Sequence, residues 1–537
     1  MNTTAPPSSA SNPAPDAASA WTTLDAAGRE PTPLYDVATI RRVEHAGLAA
    51  TPAFTLMSRA GAAAAEWVGQ HVPHGRILFL AGQGNNGGDA LVAATRLHQA
   101  GRLVEAWLVA DPDRLPDDAA RAWLEARTAG VPLLVMHDDP DAALPPWPSG
   151  CAAVVDGLLG IGLNRPADGS MARWIDHLNH AHLPVYALDI PSGLFADTGA
   201  GHPAIRAHRT LTFLAAKPGL LTLDGRDCAG KIDIAPLGLD YPPAELPAAV
   251  VNQPGGFDAT LPRREHSANK GRFGSLAVIG GNLGMTGAPL LGARAALQLG
   301  AGRVHIGFLA QPAPLIDPIH PELMLHPVSD LALDTMSAFV VGPGMGSGGV
   351  ARKLLAQVID VCANAQPGLP MVLDADALNL LAGNAALAEQ LRDSGVDIVM
   401  TPHPLEAARL LGSDVATVQR DRLVSARALA VQWRATVVLK GSGTVIATAD
   451  NAPPAINPTG NAGLSTAGTG DVLAGMIGAL LAQGMPIVAA SRAAVWIHGR
   501  AADRLVAEGI GPAGLTASEL YQPARAIFNA LLQGDAA

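Results

Sequence analysis

The stretch Asn457-Pro-Thr-Gly-Asn-Ala-Gly-Leu-Ser-Thr-Ala-Gly-Thr-Gly-Asp471 ends a glycine-rich turn in one carboxylate and runs into an apolar helical segment from Val472. That is the pattern of an anion site with its own base. Gly468 and Gly470 let backbone N–H groups crowd a phosphate, the helix start adds the positive end of its dipole, and Asp471 stands where it can take a proton from a hydroxyl. A turn merely capped by Asp has little need of so many glycines and threonines. A second loop, Gly82-Gln-Gly-Asn-Asn-Gly-Gly-Asp89, follows an apolar run and opens a helical pattern, the setting in which backbone amides hold pyrophosphate. It is not GxGxxG, and its paired Asn85 and Asn86 supply amide groups that a plain turn does not require. Lys440-Gly-Ser-Gly-Thr444 places small residues and a hydroxyl beside a lysine between two predicted strands. Taken alone, it reads equally as a hairpin or as a phosphate-holding turn.

These loops need strands and helices to position them, and the chain supplies both in alternation. In the first half, strands are predicted at 76–81, 104–109, 152–156, 185–189 and 210–214, with a helix over 90–100. In the second, strands are predicted at 275–279, 339–341, 371–374, 397–400, 437–440 and 445–447, with an alanine-rich helix over 288–299. Such alternation implies largely parallel sheets, whose ligands lie beyond the carboxyl ends of the strands. The 537 residues exceed what one core usually serves. The expected division is a disordered tail over 1–32, a first domain over 33–246, a proline-rich linker over 247–260 and a second domain over 261–533.

A net charge of -11 without long Lys/Arg runs argues against a general nucleic-acid-binding surface. Three widely spaced cysteines, Cys151, Cys228 and Cys362, suggest neither a disulfide framework nor a zinc site, and fit the cytoplasm. No apolar run reaches the roughly 18 residues of a transmembrane helix, so no membrane role is expected. The first 32 residues do not read as a secretory signal.

A KGxGT turn followed by TGN and AGTGD resembles the ribokinase-like superfamily. His266 to Gly274, Gly280 to Ala288, Gly342-Pro-Gly-Met-Gly346, Leu373 to Leu378 and Thr401-Pro-His-Pro-Leu-Glu406 stand in the order found in ADP-dependent NAD(P)H-hydrate dehydratases. In the first half, the asparagine loop, Asp156-Gly-Leu-Leu-Gly-Ile-Gly-Leu-Asn-Arg-Pro166 and Asp189-Ile-Pro-Ser-Gly193 resemble NAD(P)H-hydrate epimerase, with Tyr35-Asp-Val and Ala216-Lys-Pro-Gly219 extending the match. The pair is similar to bacterial bifunctional NAD(P)H-hydrate repair enzymes. The resemblance implies an α/β chain with a Rossmann-like three-layer domain followed by a ribokinase-like domain. It further implies that the R and S hydrates of NADH and NADPH interconvert in the first, and that ADP drives dehydration of the S form in the second.

Carried over by position, the catalytic residues are Asp471 and Asp189. Asn85, Asn86, Gly87, Gly88, Asp89, Gly160, Ile161, Gly162, Leu163, Asn164, Arg165 and Pro166, with Asp189, would contact the hydrate in the epimerase half. Ala288, Gly344, His403 and Asp471 would line the hydrate site of the dehydratase half, while Lys440, Gly441, Ser442, Gly443, Thr444 and Gly470 would hold ADP or AMP. His403, between two prolines, also reads as a surface-loop histidine. Asn86, Asp156 and Ser192 would bind potassium, an all-oxygen set suited to a hard cation, and magnesium is expected with the nucleotide. Asp374 and Asp376 read as supporting groups or helix caps and are not assigned. Ala90 departs from the glycine usual in the family, which is tolerable if the helix has already begun. Two other classes stay open: a small-molecule kinase in the second half, and a non-catalytic interaction domain in the first. Relatives of both folds are often oligomeric, so a homo-oligomer is expected.

Overall fold

Short apolar runs bounded by glycine turns form two separate sheets. The computed structural model describes residues 21–136, 143–239, 241 and 245–534. The first half carries β1 (Thr22–Thr23), β2 (Pro33–Leu34), β3 (Arg76–Ala81), β4 (Val104–Leu108), β5 (Leu133–Val135), β6 (Cys151–Gly157), β7 (Val185–Leu188), β8 (Arg209–Phe213) and β9 (Lys231–Ala235). Next come β10 (Ala249–Val251), β11 (Ser275–Gly280), β12 (Arg303–Phe308), β13 (Met324–Pro327), β14 (Ala338–Val341), β15 (Met371–Leu373) and β16 (Ile398–Met400). The last three are β17 (Thr436–Leu439), β18 (Val445–Ala447) and β19 (Ala455–Ile456).

One sheet has eight strands in the order β1-β9-β8-β7-β6-β3-β4-β5, parallel except where β1 joins β9. The chain order reverses between β3 and β6, so a crevice opens at their carboxyl ends, where the asparagine loop and the loop after Gly157 leave the sheet. Register sets Asp156 level with Leu80 of β3 and Ala187 of β7. The other sheet has eleven strands, β13-β12-β11-β14-β15-β16-β17-β18-β19-β10-β2, and reverses between β11 and β14. The loop after β11 contains Ala288 at its helix start, and the turn after β14 contains Gly344.

Two expected boundaries need correction. Residues 1–20 lie outside the described residues, but 21–32 are not a loose tail. Thr22 and Thr23 pair with Ile234 and Asp233, the Trp496 indole donates to Ala26 O at 2.9 Å, and Thr32 N donates to Gln253 Oε1 at 2.7 Å. The expected linker is likewise built into the second sheet. Within it, β10 lies between β19 and β2, and buried Asn252 donates to Asn457 Oδ1 and Arg492 O, each at 3.0 Å. Prolines crowd the flanks of β10, and three residues are too few to show a period of two.

From Val472 to Ala482 every residue of the helix Thr469–Ala482 is buried, as expected for a helix apolar on all sides. It packs on the helix Gly287–Gln298 at backbone contact: a Cβ on Gly475 would lie 2.0 Å from Gly292 O. Gly475→Ala must therefore push the two helices apart and is expected to cost about 1–3 kcal/mol of stability. Thermal unfolding checks this, and an unchanged midpoint would show that the helices separate freely.

Candidate active sites

The helix Asn85–Gln99 starts at Asn85 rather than at Ala90, so the asparagines occupy its first turn and Ala90 is already helical, buried against Gly157. Gly84 provides no side-chain cap, which leaves the first N–H groups of that helix for a ligand. Gly84, Asn85, Asn86 and Asp89 line a cleft of about 990 Å³ together with Gly160, Ile161, Gly162, Leu163, Asn164, Arg165 and Asp189. Gly87, Gly88 and Pro166 are not on its wall. Gly87 and Gly88 also meet a demand of close packing: added Cβ atoms would lie 2.0 Å from Gly82 O and 2.5 Å from the Met57 Cε.

Beneath the cleft, Asn86, Asp156 and Ser192 converge. Ser192 donates to Asp156 through Oγ at 2.6 Å and through its backbone N at 2.9 Å. Burial pushes the Asp156 carboxyl up to about 6, while the Ser192 bonds pull against that. Asn86 Nδ2 donates to Leu159 O at 2.8 Å and Leu188 O at 3.1 Å, whereas its buried Oδ1 has no partner among the described residues. An orphaned amide oxygen beside a buried carboxylate and a hydroxyl is a donor set that fits a hard monovalent cation.

Asp189 follows β7 with φ at +63°, in the left-handed region that a residue other than glycine adopts at a cost. Its Oδ1 is 2.6 Å from Lys217 Nζ and its Oδ2 accepts from Ile161 N at 3.2 Å. Lys217 is fully buried and completes its donors on Thr212 Oγ1 at 2.7 Å and Phe213 O at 2.8 Å. In the sequence, Lys217 stands out only as part of a matching motif. Burial first, and then the Asp189 charge, raise Asp89 well above the usual carboxylate range. The same two causes raise Glu44, a cleft residue that no motif marks.

In the second half, Gly468 takes φ +90° as the helix opens, and Asp471 lies in the first turn. Burial, followed by repulsion from Asp374, pushes the Asp471 carboxyl up to about 7, with Lys440 opposing. Burial disfavours the Lys440 charge, yet Asp374, Glu406 and Asp471 outweigh it and raise that group. Lys440 Nζ is 2.8 Å from Asp374 Oδ1, which also accepts from Thr401 Oγ1 at 2.8 Å. A Cβ on Gly470 would stand 3.2 Å from Lys440 Nζ, so the absent side chain leaves room at the ammonium. Asp374, unassigned from the sequence, thus belongs to this constellation. Its one signal is its position, immediately after β15 at the carboxyl edge of a parallel sheet. Asp376 accepts from Gly346 N at 2.8 Å and so holds the turn that includes Gly344.

Gly441 and Gly443 have φ of +139° and +64°, and buried Arg422 donates to Leu439 O and Lys440 O beneath them. Thr444 Oγ1 closes the turn on Gly441 O at 3.2 Å. Ser442 directs its hydroxyl at Leu223 of the first half rather than toward Lys440. Ala288 lies beside Gly344, its Cβ 3.3 Å from where a Cβ on Gly344 would stand. His403 is the N-cap of the helix Pro404–Leu411: Nδ1 accepts from Leu405 N and Glu406 N, so the proton is on Nε2. Burial first, and then nearby Lys440, lower its pKa, which favours the neutral ring.

A family model described as NAD(P)H-hydrate dehydratase matches residues 276–523, and one described as YjeF-related protein N-terminus matches residues 53–219. The bifunctional NAD(P)H-hydrate repair enzyme Nnr of Coxiella burnetii is 36% identical over 509 residues, covering 93% of this chain and 100% of the relative. The enzyme of the same name from Escherichia coli K12 is 39% identical over 495 residues, 89% of this chain and 90% of the relative. A solved ADP/ATP-dependent NAD(P)H-hydrate dehydratase from Bacillus subtilis, co-crystallised with ATP and Mg2+, is 30% identical. It covers 51% of this chain and 95% of its own, with a TM-score of 0.44.

Proposed function

Because the chain belongs to the family of bifunctional NAD(P)H-hydrate repair enzymes, we propose that it restores hydrated NADH and NADPH, epimerising the R and S forms in its first half and dehydrating the S form in its second. Two carboxylates carry the reading: Asp189 and Asp471 each stand at the carboxyl edge of a separate sheet, beside a lysine and an open helix start. Relatives matched over both halves favour this over a kinase joined to a non-catalytic interaction domain.

In the dehydratase half, the ring hydroxyl leaves poorly as hydroxide. Asp471 takes its proton as the oxygen attacks the terminal phosphorus of ADP, and AMP departs. Lys440 and the backbone N–H groups around Gly468 and Gly470 stabilise the transferring phosphoryl. The ring nitrogen lone pair then expels phosphate, and loss of a ring proton regenerates NADH or NADPH. Lys440, Gly441, Ser442, Gly443, Thr444 and Gly470 hold the AMP part, while Ala288, Gly344 and His403 border the hydrate. Magnesium would be expected with the nucleotide, where it would offset the phosphate charge.

In the epimerase half, Asp189 serves as acid or base at the hydroxyl-bearing ring carbon, with Lys217 fixing the carboxylate. Asn86, Asp156 and Ser192 would hold potassium, which supplies a positive charge beside a buried carboxylate. Exchanging potassium for tetramethylammonium is expected to suppress R/S interconversion while sparing dehydration of the S form. Asn86→Ala is expected to weaken potassium activation on the order of ten-fold or more. Equal interconversion rates in both salts would remove the cation from the site. The proposal includes a homo-oligomer in the cytoplasm; no helix among the described residues is long and apolar enough to cross a membrane.

The test is recovery of reduced-nicotinamide absorbance from an R/S hydrate mixture with ADP and magnesium. Full recovery with release of AMP and phosphate is expected. A stable phosphorylated product made from ATP would favour the kinase.

A further inference from the structure

The stretch Lys217 to Arg226 reaches from one active site to the other. At its start, Lys217 grips Asp189. Downstream, the Ser442 carbonyl accepts from Leu223 N at 3.1 Å and from Thr222 Oγ1 at 3.2 Å, and Ser442 Oγ donates to Leu223 O at 3.0 Å. The first half also presses on the turn with its main chain: a Cβ on Gly443 would lie 2.1 Å from Leu221 O. Arg226 then donates to Pro458 O, and to Gly460 O at 2.7 Å, in the loop that leads to Gly468 and Asp471. From the other side, Asp503 accepts from Gly460 N at 2.9 Å.

We propose that Thr222, Leu223 and Arg226 are positioning residues of the second half's nucleotide site, holding the Lys440–Thr444 turn and the Pro458–Gly460 loop in the form that receives ADP. This rests on the reading of that site given above. A turn with glycine at 441 and 443 has many conformations to lose on binding a ligand. Arg422 restrains it from within the second half, and Thr222 with Leu223 restrains it from the first, so the ordering cost is met before ADP arrives. Arg226 restrains the neighbouring loop in the same way. Its guanidinium is directed at two carbonyl oxygens, and burial lowers its pKa against the pull of Asp503. The dehydratase site is thus incomplete without a segment of the epimerase half.

The test uses the full chain carrying Thr222→Val, Arg226→Gln or Arg226→Lys. The KM for ADP in dehydration of the S hydrate is expected to rise on the order of ten-fold in Arg226→Gln and about three-fold in Thr222→Val. The kcat and the rate of R/S interconversion are expected to stay within about two-fold of wild type in both, and Arg226→Lys to regain much of the lost affinity. Thr222→Val conserves volume, so it reports even where Arg226→Gln fails to fold. An unchanged KM for ADP in Thr222→Val and Arg226→Gln would overturn the proposal. So would parallel losses of both activities with a lowered unfolding midpoint, the mark of a segment that only joins the halves. Wild-type protein that leaves ADP unused would instead refute the reading of the site itself.

Discussion

Asp471→Asn is expected to lower ADP-dependent recovery of reduced nicotinamide by about 10²–10⁴-fold, the range for removing a positioned general base, while R/S interconversion continues. The carboxyl is held up to about 7 by burial and by Asp374, so its charged form gains as pH rises through neutrality. Only that form can accept the hydroxyl proton. In wild type, kcat/KM should therefore climb with pH to a plateau above about 7, and the Asn variant should lose this limb. Lys440 remains paired with Asp374 in the variant, so nucleotide binding should change little. A rate-against-pH profile with the same inflection in both proteins would assign the titration to another group.

Asp189→Asn is expected to produce the complementary defect. Recovery from an R/S mixture would proceed until the S form is consumed and then stop, with interconversion down by about 10²–10⁴-fold. Asn tolerates the left-handed backbone that Asp189 adopts, so the local chain path is kept. What is lost is the partner of Lys217, an ammonium with no exposure at all. An uncompensated buried charge of this kind costs about 3–5 kcal/mol. The double variant Asp189→Asn/Lys217→Met should regain much of that stability without regaining interconversion. Full stability in the single variant would show that the pairing with Asp189 contributes nothing to holding Lys217 buried.

The sheets and their loops are legible in the sequence because buried parallel strands are short apolar runs and their functional turns carry glycine. Every strand expected from such a run is present, from β3 through β18. Part of what escapes the sequence is set by pairing rather than by local pattern. β2 and β10 are too short to show a period, and each is a strand only because a neighbour lies beside it. Lys217 and Asp374 escape for a related reason. Each acquires its role from a residue distant in sequence, Asp189 and Lys440, and no spacing along the chain announces such a meeting. Gly87 and Gly88 are expected as ligand contacts from the family resemblance alone, and the sequence does not show that packing against Gly82 O and Met57 also requires glycine there.

The pairing of β2 with β10, and of β10 with β19, also constrains the order in which the chain can be completed during synthesis. Pro33 and Leu34 emerge early, but their partner at 249–250 follows only after the whole first sheet, and β19 at 455–456 later still. Until then β2 and β10 present unpaired edges, the kind of surface on which chains join one another. Separating the coding region near residue 246 would leave β10 as a bare edge strand in one product and β2 with only its single bridge to Ala216 in the other. The two halves are therefore tied to one another by the way the second sheet is closed.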